Sequence, residues 1–311
     1  MKLSIVATLY QSAPYIREFH ERARAVAQTL VGDDYEIVFV NDGSTDNSLE
    51  LAIDLTEHDP QVVVVDLSRN FGHHKAMMVG LEHAKGEHLF LIDSDLEEAP
   101  EWLSDFWLAL EQEQADVIFG RQKQRKGGWV ERWSGDIYYT VFDWLSDIKH
   151  PRNVVTARLM TRRYVDALLR YRERETVISG LWVITGFKQS ARIVNKLSTS
   201  HSSYSLPKKL VHAVNAITSF SAVPLILILY VGLVICFCAM VYAIFLVVLR
   251  IFIARPVDGY TSIMVAILAL NGLTISLIGV IGIYLAKVFS EVKQRPYTII
   301  RTIYGREHRQ H

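Results

Sequence analysis

The sequence predicts an α/β protein: a Rossmann-like domain on a mostly parallel sheet, followed by a two-helix transmembrane anchor. Three observations lead there. Short apolar runs alternate with helix-like segments through the first two hundred residues, beginning at Leu3, Tyr35, Val62, Leu89 and Val117. Two of these runs end in aspartate-bearing segments, Asn41-Asp42-Gly43-Ser44-Thr45-Asp46 and Asp93-Ser94-Asp95. Beyond residue 219 lie two long stretches without a single charge, about 220–249 and 261–286.

Taken in order, residues 3–7 read as the first strand. Ala13-Pro14-Tyr15 opens a helix to about residue 30, with Pro14 near its start, where a missing N–H costs little. Residues 35–40 form a second apolar run, and the turn-rich segment after it leads into a helix over about 47–57. Residues 62–67 are a third strand. Ser68-Arg69-Asn70-Phe71-Gly72-His73-His74 is a loop, with a helix to about residue 84 behind it. Residues 89–92 are a fourth strand and 117–120 a fifth. Strands separated by helices imply parallel pairing with right-handed crossovers, and ligands of such sheets bind at the carboxyl ends of the strands. Asp42, the Arg69–Gly72 loop and the Asp93/Asp95 pair all fall at that edge.

In an extended segment Asp93 and Asp95 point the same way, because side chains alternate with period two. Two carboxylates on one side, with Glu97 near, suit a hard divalent cation that also holds phosphate. A lone Asp-x-Asp is equally what a solvated turn after a strand looks like, and Asp42 also reads as an Asx-turn cap for the next helix.

Composition narrows the class. The chain has 311 residues with 33 basic and 33 acidic ones, so no global basic field points to nucleic acid. Cys236 and Cys238 lie two apart in an apolar stretch, face different sides of a helix and are not expected to pair. The N-terminus runs straight into a strand, and no cleavable signal peptide is expected.

The motifs Val40-Asn41-Asp42-Gly43-Ser44-Thr45-Asp46, Leu67-Ser68-Arg69-Asn70-Phe71-Gly72 and Asp93-Ser94-Asp95, in this order and each after a strand, resemble the family 2 glycosyltransferases of the GT-A fold. The closest subgroup in resemblance is the polyprenyl-phosphate glycosyltransferases, similar to dolichol-phosphate mannose synthase and the bactoprenol glucosyltransferases. Gly186-Phe187-Lys188-Gln189, Ser202-Ser203-Tyr204-Ser205-Leu206, the 219–225 segment and Glu291-Val292-Lys293-Gln294-Arg295-Pro296 extend the match over nearly the whole chain.

The resemblance implies nucleotide-sugar contacts at Thr8, Tyr10, Asp42, Arg69, Asn70, Gly72, Asp93 and Ser94. It implies Mg²⁺ or Mn²⁺ held by Asp93, Asp95 and Glu97, with Glu97 standing where relatives often have Gln. It implies a nucleotide sugar donor, with a UDP-sugar the first expectation, and an acceptor phosphate met by Arg121, Arg125, Arg132 and Arg158. The catalytic set it implies is Asp93, Asp95, Arg121 and Arg158. Taken singly, each arginine also reads as a solvated surface charge.

Two departures stand out. Thr156-Ala157 occupies the place where relatives often have Asp-Phe, so no acidic catalytic role carries over there. Leu197 and Ser200 occupy places where relatives often have Arg and Gly. His73 and His74 read as exposed loop residues, and the hydroxyl-rich run 198–205 as a loop near the membrane. Over 129–145, Trp129, Trp133, Ile137, Val141 and Leu145 recur every four residues, giving an amphipathic helix that either packs on the sheet or lies on the bilayer.

The expected organisation is a catalytic domain over 1–200, a juxtamembrane segment over 201–218, two transmembrane helices within 219–289 and a basic tail over 290–311. Lys208 and Lys209 precede the first span, and Lys287, Lys293, Arg295, Arg301 and Arg306 follow the second. That bias puts the catalytic domain and both termini in the cytoplasm of a bacterial inner membrane. The expected reaction is sugar transfer to undecaprenyl phosphate. The alternatives are transfer to a hydroxyl of a lipid-linked glycan, or a non-catalytic membrane scaffold. Homo-oligomerisation through the spans stays open.

Overall fold

A computed structural model of the chain describes residues 1–123, 153–173, 177–197 and 259–305, with scattered positions between 223 and 244. The described residues fall in two compact units, one holding 1–123, 153–173, 177–197 and 295–305, the other the described positions from 223 to 294.

The first unit is built on one eight-stranded sheet. Its strands are β1 (Leu3–Leu9), β2 (Tyr35–Asn41), β3 (Val62–Leu67), β4 (His88–Asp93), β5 (Val117–Gln122), β6 (Val154–Thr161), β7 (Gln189–Val194) and β8 (Ile300–Tyr304), in the order β7-β5-β6-β4-β1-β2-β3-β8. β1 pairs in parallel with β2 and β4, β2 with β3, and β5 with β7; β6 and β8 run against their neighbours. The mostly parallel α/β sheet expected from the sequence is the one observed. β1, β2 and β3 are buried along their whole length, which is why they read as continuous apolar runs and not as alternating ones.

Helices cover the sheet. α1 (Ile16–Val31), α2 (Ser48–His58) and α4 (Trp102–Glu113) share one core with Leu3, Ile5, Ala7 and Leu9. Aromatic edge contacts lock that layer, Phe19 on Phe39 at 5.9 Å and Phe90 on Phe106 at 6.0 Å between ring centres. α3 (His73–His83) packs where Gly80 meets Val6 and Val40, so tightly that a Cβ at Gly80 would overlap Val6. Two short helices, α5 (Arg162–Leu168) and α6 (Ile178–Ile184), follow β6.

The described part of the second unit contains α7 (Tyr260–Val292), whose stretch Leu273–Val292 has a mean hydropathy of 1.9. At 33 residues it extends about 50 Å, more than a bilayer core needs. It is the one helix among the described residues that is long and apolar enough to cross a membrane. The first expected span, 220–249, lies mostly outside the described residues, so the two-helix anchor is not established. The juxtamembrane segment, the 129–145 helix and the 198–205 run lie outside them as well.

One expectation is corrected. The segment read as part of a basic tail returns to the sheet: β8 pairs antiparallel with β3, with Val65 opposite Ile303. The reason is a buried charge. Asp66 on β3 has no exposed surface; its Oδ1 takes the Asn41 Nδ2–H (2.8 Å) and its Oδ2 meets Arg301 Nη1 at 3.0 Å. Arg301 Nη2 also donates to the Ser68 carbonyl at 2.9 Å. Arg301→Ala strips that carboxylate of its cation but leaves Asn41, so the expected loss is about 1–2 kcal/mol of domain stability, read by denaturant unfolding of the detergent-solubilised protein.

Candidate active site

The carboxyl edge of the sheet gathers the residues singled out by sequence. At the end of β2, Asn41 Oδ1 takes the Ser44 N–H three residues on (3.2 Å) and pins the turn that follows the strand. Asp42 is buried and reaches across to the loop after β3, taking the Phe71 N–H on Oδ1 (2.7 Å) and the Gly72 N–H on Oδ2 (3.0 Å). Burial pushes its carboxyl up, against those two N–H groups. The two loops touch so closely that a Cβ at Gly43, which has φ +64°, would overlap the Arg69 and Asn70 backbone. Arg69 lies over the Phe71 ring at 4.1 Å and donates to the Asn70 carbonyl. Gly72 takes φ +101° to start α3. Thus Asp42 joins two loops by their backbones, and Asn70 and Gly72 belong to that joint.

One strand over, β4 delivers Asp93. Its Oδ2 accepts the Thr156 Oγ1–H at 2.9 Å. Its Oδ1 is buried and has no aligned hydrogen-bond donor, though His73 Nε2 stands 3.2 Å away. Burial pushes the Asp93 carboxyl up, but His73, the Thr156 hydroxyl and Lys196 outweigh it and hold it below the usual range. His73 Nδ1 hydrogen-bonds Thr8 Oγ1 at 3.0 Å. Burial opposes charge on that imidazole, yet Asp93, Asp42 and Asp95 raise its pKa. Ser94 is buried and donates to the Thr8 carbonyl (2.8 Å), tying the turn to β1. The chain then passes through Leu96 at φ +59°, and Asp95 Oδ1 takes the Glu97 N–H (3.0 Å). Burial, with Asp93 and Glu97 close, pushes the Asp95 carboxyl up.

Beside this edge is a cavity of about 360 Å³ lined among others by His73, His74, Glu98, Thr156, Arg158, Trp182 and Lys196. Arg158, on β6, is 1 % exposed, and its guanidinium stacks on the Trp182 indole. Its acceptors are two carbonyls, those of Thr156 (3.2 Å) and Val155 (3.5 Å). Burial lowers its pKa to about 9, which still leaves it a cation at neutral pH. Glu98 has no exposed surface and takes the Thr156 and Ala157 N–H groups at 3.0 and 2.7 Å. Burial and the Asp93 charge push its carboxyl up to about 7. Lys196 Nζ lies 3.0 Å from Glu97 Oε2 and 3.6 Å from Glu98 Oε1. The Trp182 N–H is buried and has no hydrogen-bond acceptor among the described residues.

The structure therefore joins Thr8, Ser94 and Asp93 in one network and places Arg158 in the cavity wall. Glu97 is paired with Lys196. Tyr10 is exposed at the end of β1, and Arg121 is exposed on β5 and does not line the cavity. Arg125 and Arg132 lie outside the described residues. His73, expected to be a simply exposed loop residue, is 49 % exposed at its side chain but bridges Thr8 and Asp93. Sequence reasoning missed Glu98, Lys196 and Trp182. Glu98 sits in an acidic run that reads as solvated, and no local signal marks the other two.

The family model described as Glycosyl transferase family 2 matches residues 4–171, more than half the chain, from within β1 to beyond β6. The chain belongs to glycosyl transferase family 2. It is therefore an enzyme, a glycosyltransferase. A protein of Mycobacterium tuberculosis named as a putative glycosyltransferase is 48% identical over 305 residues, covering 98% of this chain and 89% of the relative. The bactoprenol glucosyl transferase homolog of an Escherichia coli K12 prophage is 32% identical, covering 97% of this glycosyltransferase and 99% of the relative. The bactoprenol glucosyl transferase of Shigella phage SfII is 31% identical, with 97% and 98% covered.

Proposed function

We propose that this glycosyltransferase moves a sugar from a nucleoside diphosphate sugar, a UDP-sugar first among them, to a polyprenyl phosphate such as undecaprenyl phosphate, with inversion at the anomeric carbon. The observation that carries the reading is Arg158: a buried cation whose hydrogen-bond acceptors among the described residues are two carbonyls, with the Glu98 charge near, in the wall of a cavity beside Asp93. Such a group suits an anionic ligand. The bactoprenol names of relatives covering 97% of the chain agree with it.

The acceptor phosphate is already ionised near neutral pH, since the second pKa of a phosphate monoester is about 6. Its oxygen attacks the anomeric carbon, that carbon's bond to the diphosphate oxygen breaks, and the nucleoside diphosphate leaves. The protein's task is to hold two anions together, with Arg158, Arg121, Arg125 and Arg132 on the acceptor side and Thr8, Tyr10, Asp42, Arg69, Asn70, Gly72 and Ser94 on the donor side.

Mg²⁺ or Mn²⁺ fits Asp93 and Asp95. The Asp93 Oδ1 atom is buried without an aligned donor. Among the described residues no three acidic, histidine or cysteine side chains converge on one point. A divalent ion that takes one or two carboxylates and completes its shell with substrate phosphate needs no third. When bound, it would neutralise charge on the departing diphosphate. Glu97, held by Lys196, is the weakest of the expected ligands.

α7 and the uncharged 220–249 stretch would anchor the enzyme in a bacterial inner membrane as two spans, with the catalytic domain and both termini facing cytoplasmic nucleotide sugars. The product would feed cell-surface glycan synthesis or modification. Glu98 supports a second reading: among the described residues it is the one carboxylate lining the cavity, with a pKa near 7 that suits a general base for a hydroxyl acceptor.

The test is transfer from labelled UDP-, GDP- and dTDP-sugars into organic-extractable lipid, by membranes supplied with undecaprenyl phosphate and Mg²⁺ or Mn²⁺. Labelled lipid requiring both the monophosphate and the metal is expected. Transfer only to a glycan hydroxyl would replace this reading with the second, and no transfer from any donor would sink both.

A further inference from the structure

Asp93 is held from one side by a chain of contacts that begins three residues after Asp95. Glu98 places one carboxylate oxygen on the Thr156 N–H and the other on the Ala157 N–H. These two amides need such a partner because of the sheet. β6 pairs with β5 through Phe119 opposite Arg158 and then Arg121 opposite Val154, with a shift of register between them. On its other side the ladder with β4 is in register as far as Leu91 opposite Arg158. Thr156 and Ala157 thus fall where the ladder is irregular, and a buried N–H left without an acceptor is costly. One carboxylate satisfies both, with Lys196 as counter-charge. The strand so fixed presents the Thr156 hydroxyl to Asp93 Oδ2 at 2.9 Å. The other Asp93 oxygen, Oδ1, has no aligned hydrogen-bond donor and faces the half-exposed His73 imidazole at 3.2 Å.

We infer that Glu98 and Thr156 are positioning residues for the Asp93 carboxylate, Glu98 acting through the β6 backbone and Thr156 through its hydroxyl. This rests on the proposed role of Asp93 in donor and metal binding. Residue 156 therefore does more than lack an acid. Its hydroxyl consumes one Asp93 oxygen and turns the carboxylate by a donor that carries no charge.

The experiment measures kcat and donor KM for full-length Thr156→Ser, Thr156→Val, Glu98→Gln, the Thr156→Val/Glu98→Gln double variant and Asp93→Asn, with thermal unfolding alongside. Thr156→Ser keeps the hydroxyl and is expected to keep the wild-type rate. Thr156→Val keeps the shape but loses the hydroxyl, and kcat is expected to fall about 10- to 100-fold with the melting temperature nearly unchanged. The double variant is expected to be no slower than the slower single one, because both act through one contact. A purely structural role predicts the reverse ranking at 156, with Val tolerated better than Ser. Wild-type turnover in Thr156→Val, or fully additive losses in the double variant, overturns the inference while an inactive Asp93→Asn leaves the proposed function standing. An active Asp93→Asn would instead remove the reading on which both rest. If Glu98→Gln fails to fold, the Ser/Val comparison at 156 decides alone.

Discussion

Asp95→Asn abolishes sugar transfer, by about a thousandfold or more, while the protein still folds. The side chain is half-buried and makes one local hydrogen bond, from the Glu97 N–H to Oδ1, which the Asn amide oxygen can still accept. Burial, and after it the nearby charges of Asp93 and Glu97, push its carboxyl up. Removing its charge relieves repulsion in the folded state, so stability holds or rises slightly. What disappears is a negative charge at the place where a divalent ion and a diphosphate would meet. Transfer into lipid and the unfolding midpoint, measured on one preparation, separate the two effects. More than a tenth of wild-type turnover in the Asn variant would deny Asp95 a part in catalysis.

Arg158 gives the second large effect, in which stability and activity move apart. Arg158→Met replaces a buried cation, whose acceptors among the described residues are two carbonyls, by an apolar chain of similar length. Such replacements are often neutral or stabilising, since the charge no longer has to be desolvated. Transfer is expected to fall about a hundredfold or more, with the loss concentrated in acceptor affinity. Arg158→Lys does not rescue it. An ammonium cannot stack flat on Trp182, and the burial that lowers the guanidinium to about 9 would leave a lysine only partly charged near neutral pH. Titrating undecaprenyl phosphate against each variant checks this, and an unchanged acceptor KM in Arg158→Met would remove Arg158 from the acceptor site.

The parts legible in sequence are those where one physical cause dominates. β1 to β4 are buried on both faces, so burial wrote them as uninterrupted apolar runs, and their carboxyl ends followed from the turn residues behind them. The Asp42 turn could be read because Asn, Asp and Gly each have a backbone reason to be there. β6 escaped because its buried residues include Arg158, whose environment depends on Trp182 some twenty positions later. Glu98 escaped for a similar reason: its neighbours in sequence are acidic and polar, but its partners are two amides of β6 and Lys196. Arg158 entered the expected site only through the family resemblance. β8 has a sequence-local cause for its misreading: basic residues around Ile300–Tyr304 suggested a basic tail, although Arg301 is spent on Asp66.

That last strand also sets an order of events. Asp66 and its partner Arg301 are 235 residues apart, with α7 between them. At 5–20 residues per second the ribosome makes that span in roughly 10–50 s. Throughout that interval β3 has its β8-facing edge unpaired, an edge of the kind on which foreign strands add. The apolar stretches emerge within the same interval, so the nascent chain must commit them before the sheet can close. The sheet is thus closed late: β8, made long after β3, completes a sheet whose other strands all precede α7.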